Sequence, residues 1–324
     1  MNELKVDWFL DYQPNMDNIP ADKQKLAFVQ MPRNQALWDS GALENIATVG
    51  DAQIVKWGFS DPAVVRKSAI RNPGTNWYLF SETNRRGYMH GDRFAPVFKY
   101  WAEQIRLADS TAKILSPSIL NWDYTCLGCN FPLVDCEGFS LQGYQCGKVW
   151  LKTFINSYKT RYGVNPPVDI WAIDVYPLDW DRLPNSGLQA VEAIRQLDQM
   201  WRYLQNFPEY QNTPIWITEI AVHIGFDGWK KNSEGIPGPT GNYHPDKMAE
   251  YLTTMLDWLE SNAKDYSIEK WFFYITWIDI FNASYDGYMG ITFFEDQEAG
   301  SALTCLGEIY RAYSLYGSAQ GKTC

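Results

Sequence analysis

The sequence predicts an α/β fold, a (β/α)8 TIM barrel in a single domain with long βα loops. Three observations carry that expectation. Short apolar segments recur eight times along the 324 residues, with stretches of helical periodicity between them. These segments are nearly continuous in apolar character, the pattern of parallel strands covered by helices on both faces. The main alternative, an open doubly wound sheet, lacks its usual motive, because no Gly-x-Gly-x-x-Gly or P-loop pattern follows any of the segments.

In chain order the expected strands are 6–12 (VDWFLDY), 25–32 (KLAFVQMP), 52–59 (AQIVKWGF), 77–84 (WYLFSETN), 111–120 (TAKILSPSIL), 168–177 (VDIWAIDVYP), 214–223 (PIWITEIAVH) and 270–279 (KWFFYITWID). Helices are expected where apolar residues fall three or four apart. One such stripe is Phe94, Val97, Phe98, Trp101 and Ile105. A second is Leu188, Val191, Ile194, Leu197, Trp201 and Leu204, and a third is Met248, Tyr251, Leu252, Met255 and Leu259. No repeat or linker divides the chain, so one domain spanning 1–324 is expected, with a cysteine-rich insertion at about 121–147.

Net charge is −10 and no Lys/Arg cluster is long enough to follow a phosphate backbone, so neither nucleic acid nor an anionic membrane is an expected partner. The longest apolar run, 271–278, is far short of a membrane span. The first residues, MNELKVDWFL, show no basic segment followed by an apolar one, so no leader peptide is visible there. Aromatic residues make up 16% of the chain, which suits a surface that stacks on the CH-rich faces of sugar rings, or a core filled with rings.

Six cysteines divide into a loop group, Cys126, Cys129, Cys136 and Cys146, and a C-terminal pair, Cys305 and Cys324. The loop spacing admits two local disulfides or a four-thiolate zinc site; disulfides are favoured because a second Cys-x-x-Cys is missing. Disulfides would place the protein in a secreted or extracytoplasmic setting.

Chemistry is expected where parallel strands end. The 77–84 segment ends around Glu82 and the 214–223 segment carries Glu219 in an otherwise apolar run, so two acids on separate strands converge at one face. Paired carboxylates are the minimum equipment for breaking a glycosidic bond. Tyr176, at the end of the sixth segment, is placed to hydrogen-bond Glu219, and Trp277 ends the eighth. Trp8 and Trp57 are candidates either for the cleft or for the core. Asn84 and His223 are candidates for contacts to sugar hydroxyls or for structural hydrogen bonds. The loops 121–147, 224–243 and 280–302, the last with Tyr285, Tyr288 and Phe293, would wall the cleft.

The segments NPGTNWYLFSETN (72–84), IRLADSTAKILSPSI (105–119), VDIWAIDVY (168–176), PIWITE (214–219) and LTCLGEIYRAY (303–313) resemble bacterial members of the clan A glycoside hydrolase superfamily. The resemblance implies that Glu82 is the acid/base and Glu219 the nucleophile of a retaining, double-displacement hydrolase. It also implies a sugar-binding floor at Trp277. Long loops and many aromatics suit an extended cleft, so the expected substrate is a β-linked polysaccharide or oligosaccharide cleaved within the chain, with no cofactor and no metal, by a monomer. Two departures stand out. Ser81 occupies the position before the acid/base, where the superfamily usually has an Asn that contacts the substrate 2-hydroxyl, and this leaves a catalytically inactive carbohydrate-binding barrel as the alternative reading. Asp174 stands where related sequences often carry His.

Overall fold

The computed structural model describes residues 3–17, 19–85, 91–123, 139–140, 144–177, 189–222, 226–231, 237–277, 291–298 and 300–324. It is an α/β fold of parallel strands flanked by helices. Four strands, β1 (Trp8–Leu10), β2 (Gln24–Val29), β3 (Asn76–Leu79) and β4 (Lys113–Leu115), pair in parallel in that order. Four more, β5 (Ile119–Leu120), β6 (Trp171–Val175), β7 (Ile215–Ile220) and β8 (Ile268–Phe273), form a second parallel set. A parallel bridge between Leu115 and Ile170 ties β4 to the start of β6 and joins the two sets.

Seven of the eight expected segments become strands, one of them in two pieces. The 111–120 segment breaks at Ser116-Pro117-Ser118, and its halves pair with different neighbours, β4 with β3 and β5 with β6. The 52–59 segment is a correction: it is helix α2 (Asp51–Trp57), following the short α1 (Gln35–Asp39). Gly58 closes α2 at φ 97°, a left-handed C-cap, and Asp51 complements the positive end of the helix. Only Ile54 is buried there, with Val55 44% exposed, so the apolar cluster is one turn of an amphipathic face and not a two-sided strand. Trp57, at its end, packs against the helix-side core.

The remaining helices are α3 (Pro62–Arg71), α4 (Gly91–Ala108), α5 (Gly147–Tyr162), α6 (Val191–Leu204), α7 (Pro245–Asn262) and α8 (Cys305–Tyr316). All five predicted residues of the α4 stripe are buried, as are all five of α7. In α6, Leu197 and Leu204 are buried while Val191 is exposed, and Leu188 lies outside the described residues. Among the described residues, no helix is long and apolar enough to cross a membrane.

Side chains sort by strand periodicity. Leu26 and Phe28 face an inner cluster with Tyr78, Leu115, Ala172 and Trp216, whereas Ala27, Val29, Ile215 and Ile217 face the helices. No ladder joins β1 to β8 among the described residues, but Trp8 packs edge-on against Trp216 of β7, at 5.1 Å between centroids, and Lys270 of β8 lies over the Trp8 ring. A disulfide closes Cys305 to Cys324, and Cys146 is also disulfide-bonded. Cys126, Cys129 and Cys136 lie outside the described residues.

Helix α5 starts hard against the end of β5. A Cβ on Gly147 would run into the Asn121 carbonyl and come within 2.6 Å of Ile119 Cδ1, while the next N–H, from Lys148, donates to the Trp122 carbonyl. Gly147→Ala is expected to lower stability by about 1–3 kcal/mol, the usual range for overpacking, measured as a shift of the urea midpoint at constant slope.

Candidate active site

Three carboxyls meet at the C-terminal ends of the strands. Glu82, Asp174 and Glu219 each present an oxygen within 4.8 Å of the others. Asp174 is carried there by β6 itself, whereas the two glutamates arrive by different backbone devices.

Glu82 lies past the end of β3, in a turn where two non-glycine residues have left-handed backbones, Phe80 at φ 74° and Glu82 at φ 50°. Each such residue costs roughly 1–2 kcal/mol, so the turn must be held by something else. The holder is Ser118. Its N–H donates to Phe80 O (3.0 Å), its carbonyl accepts from the Thr83 N–H (3.0 Å) and Thr83 Oγ1 (2.9 Å), and its hydroxyl accepts from the Glu82 N–H (2.9 Å). The expected strand through residue 84 therefore stops at Leu79, and the acid is aimed by a turn. Arg85 forms an ion pair with the Glu82 carboxylate.

Glu219 is aimed by a bulge. Ile173 of β6 faces Ile217 of β7, but the next residue, Asp174, faces Glu219, so Thr218 is the extra residue on β7. Plain alternation would turn Thr218 inward and Glu219 out toward the helices. The bulge lets both face inward and returns Ile220 to the helix-side core. Glu219 Oε2 accepts from Tyr176 Oη at 2.5 Å, and Oε1 accepts from Tyr12 Oη. Burial and the charge of Glu82 raise the Glu219 carboxyl to about 7, against the pull of the Tyr12, Tyr176 and Ser81 hydroxyls, which favour the anion.

Asp174 is fully buried, and burial together with the negative charges of Glu219 and Glu82 pushes its carboxyl well above the usual range. That shift toward the protonated form eases the crowding of three carboxyls in this space. Thr218 Oγ1 lies 2.6 Å from its Oδ1, and Ser118 Oγ donates to its Oδ2 at 2.5 Å. Ser81 bridges the inner pair, with Oγ 3.3 Å from Asp174 Oδ2 and 3.4 Å from Glu219 Oε1.

The structure thus gathers Glu82, Glu219, Tyr176 and Ser81 into one site. The other candidates fare differently. Asn84 is 1% exposed, and its amide is taken up by the backbone, accepting from the Leu120 N–H and donating to the carbonyls of Leu120 and Gln145, so it takes the structural alternative. Trp8 begins β1 and packs against Trp216 at the opposite end of the strands, so it is a core ring, away from the acids. His223 lies outside the described residues, as do Tyr285 and Tyr288. Trp277 is half-buried, four residues past β8. Phe293 is buried on the helix side, stacked on Tyr310 at 4.7 Å, and is no cleft wall.

Tyr12, Tyr78 and Ser118 were not among the sequence candidates. Tyr12 is two residues past β1 in a left-handed turn, the place where a strand-end residue of a parallel fold belongs, and its position was the available signal. Ser118 carried none, because a Ser between Pro117 and Ile119 looks like any turn residue.

Removing either tyrosine hydroxyl takes away a hydrogen bond that favours the Glu219 anion. In Tyr176→Phe the Glu219 carboxyl is expected to titrate about one unit or more above its parent position, since a hydrogen bond to a charged group contributes about 1.5–3 kcal/mol. An upward move of the acid limb of the pH–rate profile, or of a carboxyl 13C titration, checks it. An unmoved limb would mean that the hydroxyl does not act on Glu219.

Comparison with known proteins gives this geometry a family. The model of the glycosyl hydrolase catalytic core family matches residues 95–310, well over half of the chain. No curated protein matches the sequence. Among solved structures, the GH128 (subgroup II) endo-β-1,3-glucanase from Sorangium cellulosum superposes with a TM-score of 0.54 at 15% identity, covering 96% of this chain and 92% of that one. The GH128 (subgroup IV) endo-β-1,3-glucanase from Lentinula edodes gives 0.51 at 11% identity, covering 94% and 89%. A mutant of the GH128 (subgroup I) enzyme from Amycolatopsis mediterranei, in complex with laminaritriose and laminaribiose, gives 0.50 at 15% identity over 96% and 92%. These likenesses show a shared fold. Together with the family match over the segment that carries Asp174, Tyr176 and Glu219, they place the chain in the glycosyl hydrolase catalytic core family, as a glycoside hydrolase.

Proposed function

We propose that this glycoside hydrolase cleaves β-1,3-linked glucan within the polysaccharide chain, with retention of anomeric configuration. The single observation that carries the mechanism is the approach of the Glu82 and Glu219 carboxyl oxygens to within 4.8 Å. Inversion needs about 6.5–9.5 Å between carboxyls to admit a water, and retention only about 5–5.5 Å. Glu219 is the nucleophile. It lies deeper than Glu82, and two phenol hydroxyls stabilise its charged form and hold its oxygens for attack on the anomeric carbon. Glu82, on the loop side, protonates the departing glycosidic oxygen and then, as a base, activates water for the second displacement. Trp277 supplies the aromatic floor for the sugar. Ser81 is too short to reach the 2-hydroxyl as an Asn would, and it orients Glu219 instead.

The β-1,3 linkage and the mid-chain action are supported by the activities of the Sorangium and Lentinula enzymes that share the fold. The rest of the reading is a closed barrel of the clan A type, forming one domain across residues 1–324 with an insertion at about 121–147. Closure is supported by the inner cluster, to which β1, β2, β3, β4, β6, β7 and β8 all contribute, and by the Trp8 and Lys270 contact across the seam. The disulfides support a secreted, extracytoplasmic protein, which we take to be a monomer.

Laminarin and laminari-oligosaccharides are expected to be cleaved in preference to β-1,4-glucan, mannan, xylan and galactan, with mixed oligosaccharides appearing first. Proton NMR of the earliest product should show the β anomer; the α anomer first would refute retention. Glu219→Gln and Glu82→Gln are each expected to lower kcat/KM on laminarin by about 10³-fold or more while oligosaccharide binding persists.

A further inference from the structure

The two glutamates come from different parts of the sheet, Glu82 from the turn after β3 and Glu219 from β7, and are aimed by unrelated devices, a strained turn and a bulge, yet their spacing decides the chemistry. We propose that Ser118 is the positioning residue that sets this spacing, by holding the Glu82 backbone and the buried Asp174 carboxyl with one hydroxyl. The inference rests on the reading of Glu82 and Glu219 as the catalytic pair.

The hydroxyl of Ser118 is fully used. It has one hydrogen and two lone pairs. It donates to Asp174 Oδ2 at 2.5 Å and accepts from Tyr78 Oη at 2.6 Å and from the Glu82 N–H at 2.9 Å. Ser118 is fully buried, so water cannot replace any of these. Asp174 is held on its other oxygen by Thr218, the bulge residue next to Glu219. The result is a four-link tie across the sheet: the Glu82 N–H, the Ser118 hydroxyl, the Asp174 carboxyl and the Thr218 hydroxyl. The backbone of Ser118 meanwhile clamps both flanks of the Glu82 turn. Ser81, next to Glu82, also reaches Asp174 Oδ2 at 3.3 Å and Glu219 Oε1 at 3.4 Å, but both contacts are long and its single hydrogen serves only one of them, whereas Ser118 holds Asp174 at 2.5 Å and the Glu82 N–H as well.

Without the Ser118 hydroxyl, the Glu82 N–H and the Asp174 oxygen both lose a buried partner, and between its two backbone clamps the left-handed turn at Glu82 loses the bond that fixes it relative to Asp174. A displacement of about 1 Å at a reacting group lowers turnover by about 10²-fold. Ser118 touches no substrate, so substrate binding is spared.

The test measures kcat and KM on laminarin for Ser118→Ala and Ser118→Thr, with Glu82→Gln and Glu219→Gln beside them. Ser118→Ala is expected to lower kcat by about 10²-fold with KM within about twofold, and Ser118→Thr, which keeps a hydroxyl, to restore at least about tenfold of the loss. Parent-like kcat in Ser118→Ala, with both glutamine variants inactive, would overturn the tie and leave the catalytic pair standing. Retained turnover in the two glutamine variants would overturn the pair, and the tie with it. Should Ser118→Ala not fold, Ser118→Cys keeps nearly the same bulk with a weak hydrogen bonder, and its parent-like kcat would equally refute the proposal.

Discussion

Everything in this active site depends on keeping three carboxyls together where water is scarce. Three negative charges within 4.8 Å and largely out of water would repel strongly. The structure eases this by burying Asp174, whose carboxyl is pushed well above the usual range, and by surrounding the acids with hydroxyl groups. Tyr12 and Tyr176 face Glu219, Ser118 and Thr218 face Asp174, and Ser81 lies between them. Hydroxyls suit this task because each can donate to an anion or turn to accept from a neutral acid. Arg85 is the cation on the Glu82 side, where some solvent reaches the pair.

The scaffold supports the acids through irregularities in otherwise regular elements. A straight β7 would have turned Glu219 into the helix layer, and a straight extension of β3 would have carried Glu82 along the strand. The bulge at Thr218 and the turn at Phe80–Glu82 redirect both acids to one side. Such distortions persist only when the surroundings over-determine them. Here the surroundings are the buried core on both faces of the strands and hydrogen bonds that run between neighbouring strand ends. The residues just beyond β5 are braced too. The Arg195 guanidinium of α6 pairs with both Asp123 and Glu192, and the Gln196 side-chain oxygen accepts from the Trp122 and Asp123 N–H groups.

Much of the fold was legible because burial on two faces leaves a simple record. Strands such as Ile215–Ile220 and helices such as α4 and α7 are dictated by which residues must leave water, and the spacing of Phe94 to Ile105 says so without further help. The 52–59 segment misled because Ile54, Val55 and Trp57 are apolar without being equally buried, and a short cluster does not distinguish one helical turn from a strand. The break at Ser116-Pro117-Ser118 was invisible for a related reason. Both halves are apolar and extended, and only their different partners separate them.

For the site, the chain itself determined which acids lie at strand ends, because a lone carboxylate in an apolar β-branched run is costly and stands out. It also determined that Tyr176 follows β6 closely enough to reach Glu219. What only the tertiary structure decided is direction and charge. The bulge aims Glu219, Ser118 from a distant segment holds Glu82, Tyr12 from just past the first strand adds a second hydroxyl to Glu219, and burial pushes the Asp174 carboxyl well above the usual range. Apart from the place of Tyr12 just past β1, these leave no local trace, because each is a relation between residues 36 to 207 positions apart, created when the strands come together.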